Sequence, residues 1–155
     1  MKQILLMMMA VVLVGQSVVA DEKLIADPIV EKVIRKEYGK PEGKLTEADL
    51  EEVYSLNFIE TKITNASIKE LVKLQKLEKI GLEKLGLSYT PITDAELVEV
   101  GKLQNLESLW LGSTSITDVG LKDVAKLQKL DFLDLGDTKI TDAGLKEVAK
   151  LQKLE

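Results

Sequence analysis

From Leu82 onward the apolar positions of this chain restart every 24 residues. Leu82–Asn105, Leu106–Lys129 and Leu130–Lys153 are three copies in register, and Leu154-Glu155 opens another. An earlier copy begins at Val53 and is followed by five extra residues, Leu77–Gly81, before the period resumes. Within each unit two periodicities alternate. Positions 1, 4 and 6 (Leu106, Leu109, Leu111; Leu130, Leu133, Leu135) contain a period-two pair, which predicts a short strand with one face buried. The second half spaces its apolar residues by three and four (Ile140, Ala143, Leu145, Val148, Leu151), which predicts a short helix packed behind the strand. In the second unit either Leu77-Ile80-Leu82 or Leu82-Leu85-Leu87 fits a strand, and the latter is preferred because it keeps Thr90 eight residues after the first Leu. Thr93-x-x-Glu96 predicts a capping box, and Asp94, Asp118 and Asp142 are expected in the first helical turn, where a negative charge suits the helix dipole. One unit cannot bury its own apolar face, so the copies are expected to stack into a continuous core with parallel strands along one side.

The consensus LxxLxLxxTxITDxGLxxVAKLQK, spread over residues 53–155, resembles the leucine-rich repeat of the bacterial subtype carrying Thr-x-Ile-Thr-Asp-x-Gly-Leu. Thr61, Thr90, Thr114 and Thr138 occupy the place where that family has an Asn or Cys bonding backbone at the turn. The preceding segment Asp27–Val53 resembles the helical cap of internalin-like bacterial proteins. Its residues agree: Asp27 is a good N-cap, Pro28 suits the first helical position, Val30, Val33, Ile34 and Tyr38 share a face, Gly39 can end the helix, and Thr46-x-x-Asp49 opens a second turn. The expected fold is therefore an α/β leucine-rich-repeat solenoid, with a curved parallel sheet on the concave side, short helices on the convex side and a small helical N-terminal cap. The expected division is a signal peptide over 1–20, a cap over 21–52, and repeats over 53–81, 82–105, 106–129, 130–153 and in part 154–155. The unfinished last repeat leaves two expectations open: a piece of a longer repeat protein, or an end covered by a partner such as a second copy.

The signal peptide rests on Met1-Lys2, the apolar run Ile4–Val14, and the small residues before a cleavage site after Ala20. Cleavage predicts an exported protein. Counting through Gly15-Gln16-Ser17 instead stretches the run toward an uncleaved anchor. Composition removes other readings. With no His and no Cys, imidazole and thiolate catalysis and zinc or iron–sulfur sites are disfavoured, and an oxidising compartment brings no disulfides. The net charge is −5, with a single Arg, Arg35, and no basic cluster, which argues against nucleic acid.

Function is then expected on the concave strand face. Side chains at positions 3, 5 and 7 point away from the core. The third and fourth units share 17 of 24 residues, and five of the seven differences fall at positions 2, 3, 5, 8 and 10, so divergence concentrates on the strand and its exit loop. Trp110 and Phe132 are placed to form an aromatic patch there, and Asn57, Lys84, Ser108 and Asp134 complete the predicted ligand-binding set. The partner expected is a protein, or a glycan; no catalytic residue, cofactor or metal is assigned. Asp131, Asp134 and Asp137 read as an acidic rim, not a calcium site, because the repeat imposes their spacing. The alternative reading is a self-associating structural protein of the envelope. The same repeat style occurs in eukaryotic F-box adaptors, but no F-box segment is present.

Overall fold

The computed structural model describes residues 23–154, and the predicted signal peptide lies outside them. Four three-residue strands, β1 (Ser55–Asn57), β2 (Lys84–Gly86), β3 (Ser108–Trp110) and β4 (Phe132–Asp134), form one parallel sheet in sequence order. The register repeats the sequence period: Leu56, Leu85, Leu109 and Leu133 stand side by side. The second unit therefore takes the Leu82-Leu85-Leu87 register, and the Leu77–Gly81 insert is a connection in which Leu77 is exposed and Ile80 is buried. Among the described residues two helices precede the sheet, α1 (Pro28–Glu37) and α2 (Glu47–Glu51). Four follow the strands on its other side: α3 (Asn65–Lys76), α4 (Asp94–Val100), α5 (Leu121–Val124) and α6 (Asp142–Val148), each packed on the next.

The core lies between the two layers. Leu56, Leu85 and Leu109 from the strands meet Ile68, Leu71, Leu97 and Leu121 from the helices, all essentially inaccessible to solvent. Phe58 fills, in the first unit, the place held by Leu87 and Leu111 in the next two. At the turn after each strand the residue at position 8 is left-handed: Glu60, Tyr89, Ser113 and Asp137 have φ of 58°, 57°, 55° and 52°. That costs each non-glycine residue about 1 kcal/mol. The threonine that follows is tied in place, because Thr61, Thr90, Thr114 and Thr138 each donate a hydroxyl hydrogen bond of 2.5–2.7 Å to the carbonyl three residues earlier. Thus the threonines brace their own turns and do not bridge units.

Between units the link is the aspartate of the Thr-Asp pair; Asp94 and Asp142 open their helices as the sequence predicts, and Asp118 departs from that expectation. Asp94 is the first residue of α4, but its carboxylate accepts from the N–H and hydroxyl of Thr117 (2.8 and 2.6 Å) and from the N–H of Gly120 (3.2 Å), all in the following unit. Asp118 lies ahead of α5, outside any helical turn, and accepts from Thr141 N–H and hydroxyl at 2.8 and 2.7 Å. Each carboxylate is thus a clamp onto the next copy. The clamp also accounts for the glycine of the motif: a Cβ on Gly120 would sit 2.5 Å from Leu97 Cδ1 and 2.6 Å from Asp94 Oδ1. The first junction lacks this device. Asn65 holds the aspartate position with its Oδ1 buried and unpartnered, while Thr93 is held by its own Glu96 in the predicted capping box.

The outer edge of β1 is closed by side chains at the C-terminal end of α1, from Glu37 and the C-cap residue Tyr38. The Tyr38 hydroxyl accepts from Tyr54 and Ser55 N–H (3.1 Å each) and donates to Ser55 C=O (3.0 Å), and Glu37 Oε1 accepts from Asn57 N–H at 3.0 Å. These groups satisfy an edge that would otherwise be a template for strand pairing. Asp27 caps α1 through Ile29 and Val30 N–H and receives the Ser67 hydroxyl of α3, while buried Glu70 takes Ala26 N–H. Tyr38→Phe is expected to cost about 1–2 kcal/mol, because it leaves three edge groups without their protein partner. Urea denaturation measures it, and an unchanged midpoint would mean that the hydroxyl does not seal the sheet.

Candidate functional site

The parallel register turns the outward positions of the strands into rows. Position 3 gives Ser55, Lys84, Ser108 and Phe132, and position 5 gives Asn57, Gly86, Trp110 and Asp134. All six predicted residues lie on these two rows. Neighbouring strands sit about 4.8 Å apart, so a row spans roughly 14 Å. Trp110 and Phe132, on adjacent strands and adjacent rows, are in contact: their ring centroids are 5.1 Å apart with planes inclined at 39°. Phe132 is 46% exposed and Trp110 half-buried, so the pair presents an apolar surface that already has fixed geometry. On the other side of Trp110 the row has no side chain, because Gly86 is its register partner.

Asn57 and Asp134 have work of their own. Asn57 Oδ1 accepts from Ile59 N–H, and Asp134 Oδ1 accepts from Gly136 N–H, both at 2.9 Å, so each side chain closes its own exit turn. The same two side chains lean over neighbouring glycines: a Cβ on Gly86 would sit 2.8 Å from Asn57 Oδ1, and one on Gly112 2.8 Å from Asp134 Oδ2. Each keeps polar atoms at the surface, but their orientation is set by the turn. Lys84 is exposed, and Ser108 is half-buried beside Phe132.

Sequence reasoning passed over two aromatics. Tyr89, 63% exposed, stands on the left-handed turn after β2, and its N–H donates to Gly112 C=O at 3.0 Å, which sets it beside the third unit's exit loop. Its signal was an aromatic at a position where the other units carry Glu60, Ser113 and Asp137. Tyr54 is also exposed and packs edge-on against Tyr38, with centroids 6.4 Å apart. Glu37, at the β1 end of the face, has its carboxyl pushed above the ordinary range by burial, partly offset by the Asn57 N–H it accepts. Among the described residues no cluster of three carboxylates is arranged to hold a metal ion, and no helix is long and apolar enough to cross a membrane.

Known proteins with the same architecture are found by both sequence pattern and shape. A family model described as Leucine Rich repeat matches residues 102–125 and 126–149. Two internalin crystal structures from Listeria monocytogenes are similar to the chain. One is an internalin (inlF), 24% identical over 84% of this chain and 35% of that chain, with a TM-score of 0.58. The other is an internalin C2 (inlC2), 25% identical over 84% of this chain and 73% of that chain, with a TM-score of 0.50. The chain thus spans about a third of the length of the first. No curated protein matches it.

Proposed function

We propose that the chain, a leucine-rich-repeat protein with an internalin-like fold, is an exported, non-enzymatic module that binds a protein through the strand face, concave in this fold class. The observation that carries this reading is the Trp110–Phe132 pair. Two aromatic rings packed at 5.1 Å lie on the open face of a rigid sheet, where burying them in the molecule's own core is impossible. Large rings of fixed orientation bring much contact area at little entropic cost, which is why they anchor protein interfaces. The surrounding Asn57, Lys84, Ser108 and Asp134 supply hydrogen-bonding groups around that anchor, the usual composition of an interface rim. Export rests on the apolar run Ile4–Val14 and the small residues before Ala20.

Photo-cross-linking tests the reading. A benzophenone amino acid at Ser108, beside Phe132, is expected to capture a protein from the producing organism's surroundings, whereas the same group at Lys146 on α6 is not. Equal capture from both positions would remove the strand face from consideration, and capture only of glycan at Ser108 would change the class of ligand.

A further inference from the structure

Beyond β1 the N-terminal half of α1 and the exit loop of the first unit stand apart, and a groove of about 480 Å3 opens between them. Its apolar lining includes Pro28 and Ile29 from α1 and Ile59 from the loop, the last 42% exposed at a position where the other units carry Ser88, Gly112 and Gly136. Lys32 and Lys36, one helical turn apart, flank it on one side and Lys62 on the other. All three lysines are exposed, and none is ion-paired among the described residues. Arg35 of the same helix, by contrast, is bound to Glu31 at 2.9 Å. Glu60 is the only acid in the lining, and Glu37 next to Lys36 is turned toward Asn57 N–H.

We infer that this groove is a second docking site, separate from the aromatic pair, for an acidic peptide segment that inserts an apolar side chain. The floor offers an apolar side chain an escape from water, and three exposed ammonium groups around it complement carboxylates. The volume falls within the range of small-ligand and side-chain pockets. In a chain of net −5, the local excess of three lysines over one glutamate in this lining is what favours an acidic segment here. The inference stands apart from the aromatic pair: the groove residues come from α1 and the first exit loop, and Asn57 of β1, the one strand-face residue in the lining, lies two strands from Trp110.

A displayed library of random hexapeptides, panned on the full chain, is the test. Peptides with acids flanking an apolar residue are expected to be enriched on the native protein and reduced about tenfold on Lys32→Gln/Lys36→Gln/Lys62→Gln. They should be retained by Trp110→Ala/Phe132→Ala, which separates this site from the strand face. Absence of an acidic preference, equal recovery by the lysine variant, or loss on the aromatic variant would each overturn the proposal. So would a lysine-dependent binding of phosphatidylserine vesicles without peptide enrichment, which would assign the groove to lipid. All three lysines are solvent-exposed, so the variant is expected to keep the native thermal transition.

Discussion

Replacing Trp110 and Phe132 together by Ala is expected to weaken binding of the partner captured at Ser108 at least about a hundredfold, while stability falls by no more than about 2 kcal/mol. The asymmetry follows from where the rings sit. Phe132 is nearly half exposed and Trp110 half-buried, so neither fills a closed cavity, and their removal forfeits mainly the contact between the two rings. A partner, in contrast, would cover both faces at once and lose its central anchor. Trp110→Phe should retain most of the affinity, since a ring remains opposite Phe132, and Tyr89→Ala should show a smaller loss because Tyr89 stands on the rim beyond Gly112. Titration calorimetry with the captured partner reads these differences. Affinity unchanged in the double variant would show that the aromatic pair only covers the sheet.

Much of the framework that holds this pair was legible before any coordinates, because the information was periodic. A 24-residue repeat assigns the same environment to every equivalent residue, so Leu56, Leu85 and Leu109 were placed in the core and Trp110 and Phe132 on the face without knowing the curvature. Local chemistry was equally readable. Asp27 and Pro28 start α1, Thr46 and Asp49 close a capping box on α2, and Gly39, with φ of 67°, follows α1 as the residue that can end it. What escaped were contacts whose partners lie a full unit or more away. Asp94 and Asp118 each follow a Thr at the expected start of a helix, so a helix-dipole role accounts for them in sequence, and nothing in one unit tells a carboxylate to reach 23 residues ahead. The Tyr38 hydroxyl was read as part of an apolar face, yet it substitutes for a missing strand through three hydrogen bonds. Likewise the sequence marks Asn57 and Asp134 as ligand-binding residues of the strand face and conceals that each closes its own exit turn, because turn closure by a side chain depends on backbone direction after the strand. The groove under Ile59 needs two segments brought together from different elements, and no spacing announces that.

Asp94→Ala is expected to destabilise the protein by about 2–4 kcal/mol, more than any other single polar change among the described clamps. It removes one carboxylate but strands three donors, the N–H and hydroxyl of Thr117 and the N–H of Gly120, at a partly buried junction. Asp118→Ala should cost less, since the equivalent hydrogen bonds to Thr141 are exposed and water can replace them. Acid acts on the Asp118 bonds. Thr141 N–H and hydroxyl, with Gly144 N–H, hold the Asp118 carboxyl below its ordinary value of 3.8, and Lys40 with Thr46 holds Asp49 at about 2. A carboxylate with a depressed value in the folded state stabilises fully above its unfolded value and loses that contribution as pH falls through the folded one. Urea midpoints should therefore be insensitive to these two groups above about pH 5 and decline below about pH 4, with a shallower decline in Asp118→Ala. The decisive measurement is a double-mutant cycle across the junction. Gly120→Ala forces a methyl group against Asp94 Oδ1 and Leu97 Cδ1, so it should be strongly destabilising alone and distinctly less so once Asp94 is Ala. Additive effects would mean that aspartate and glycine act independently, and that the Thr-Asp-x-Gly motif is not the fastener that holds one repeat to the next.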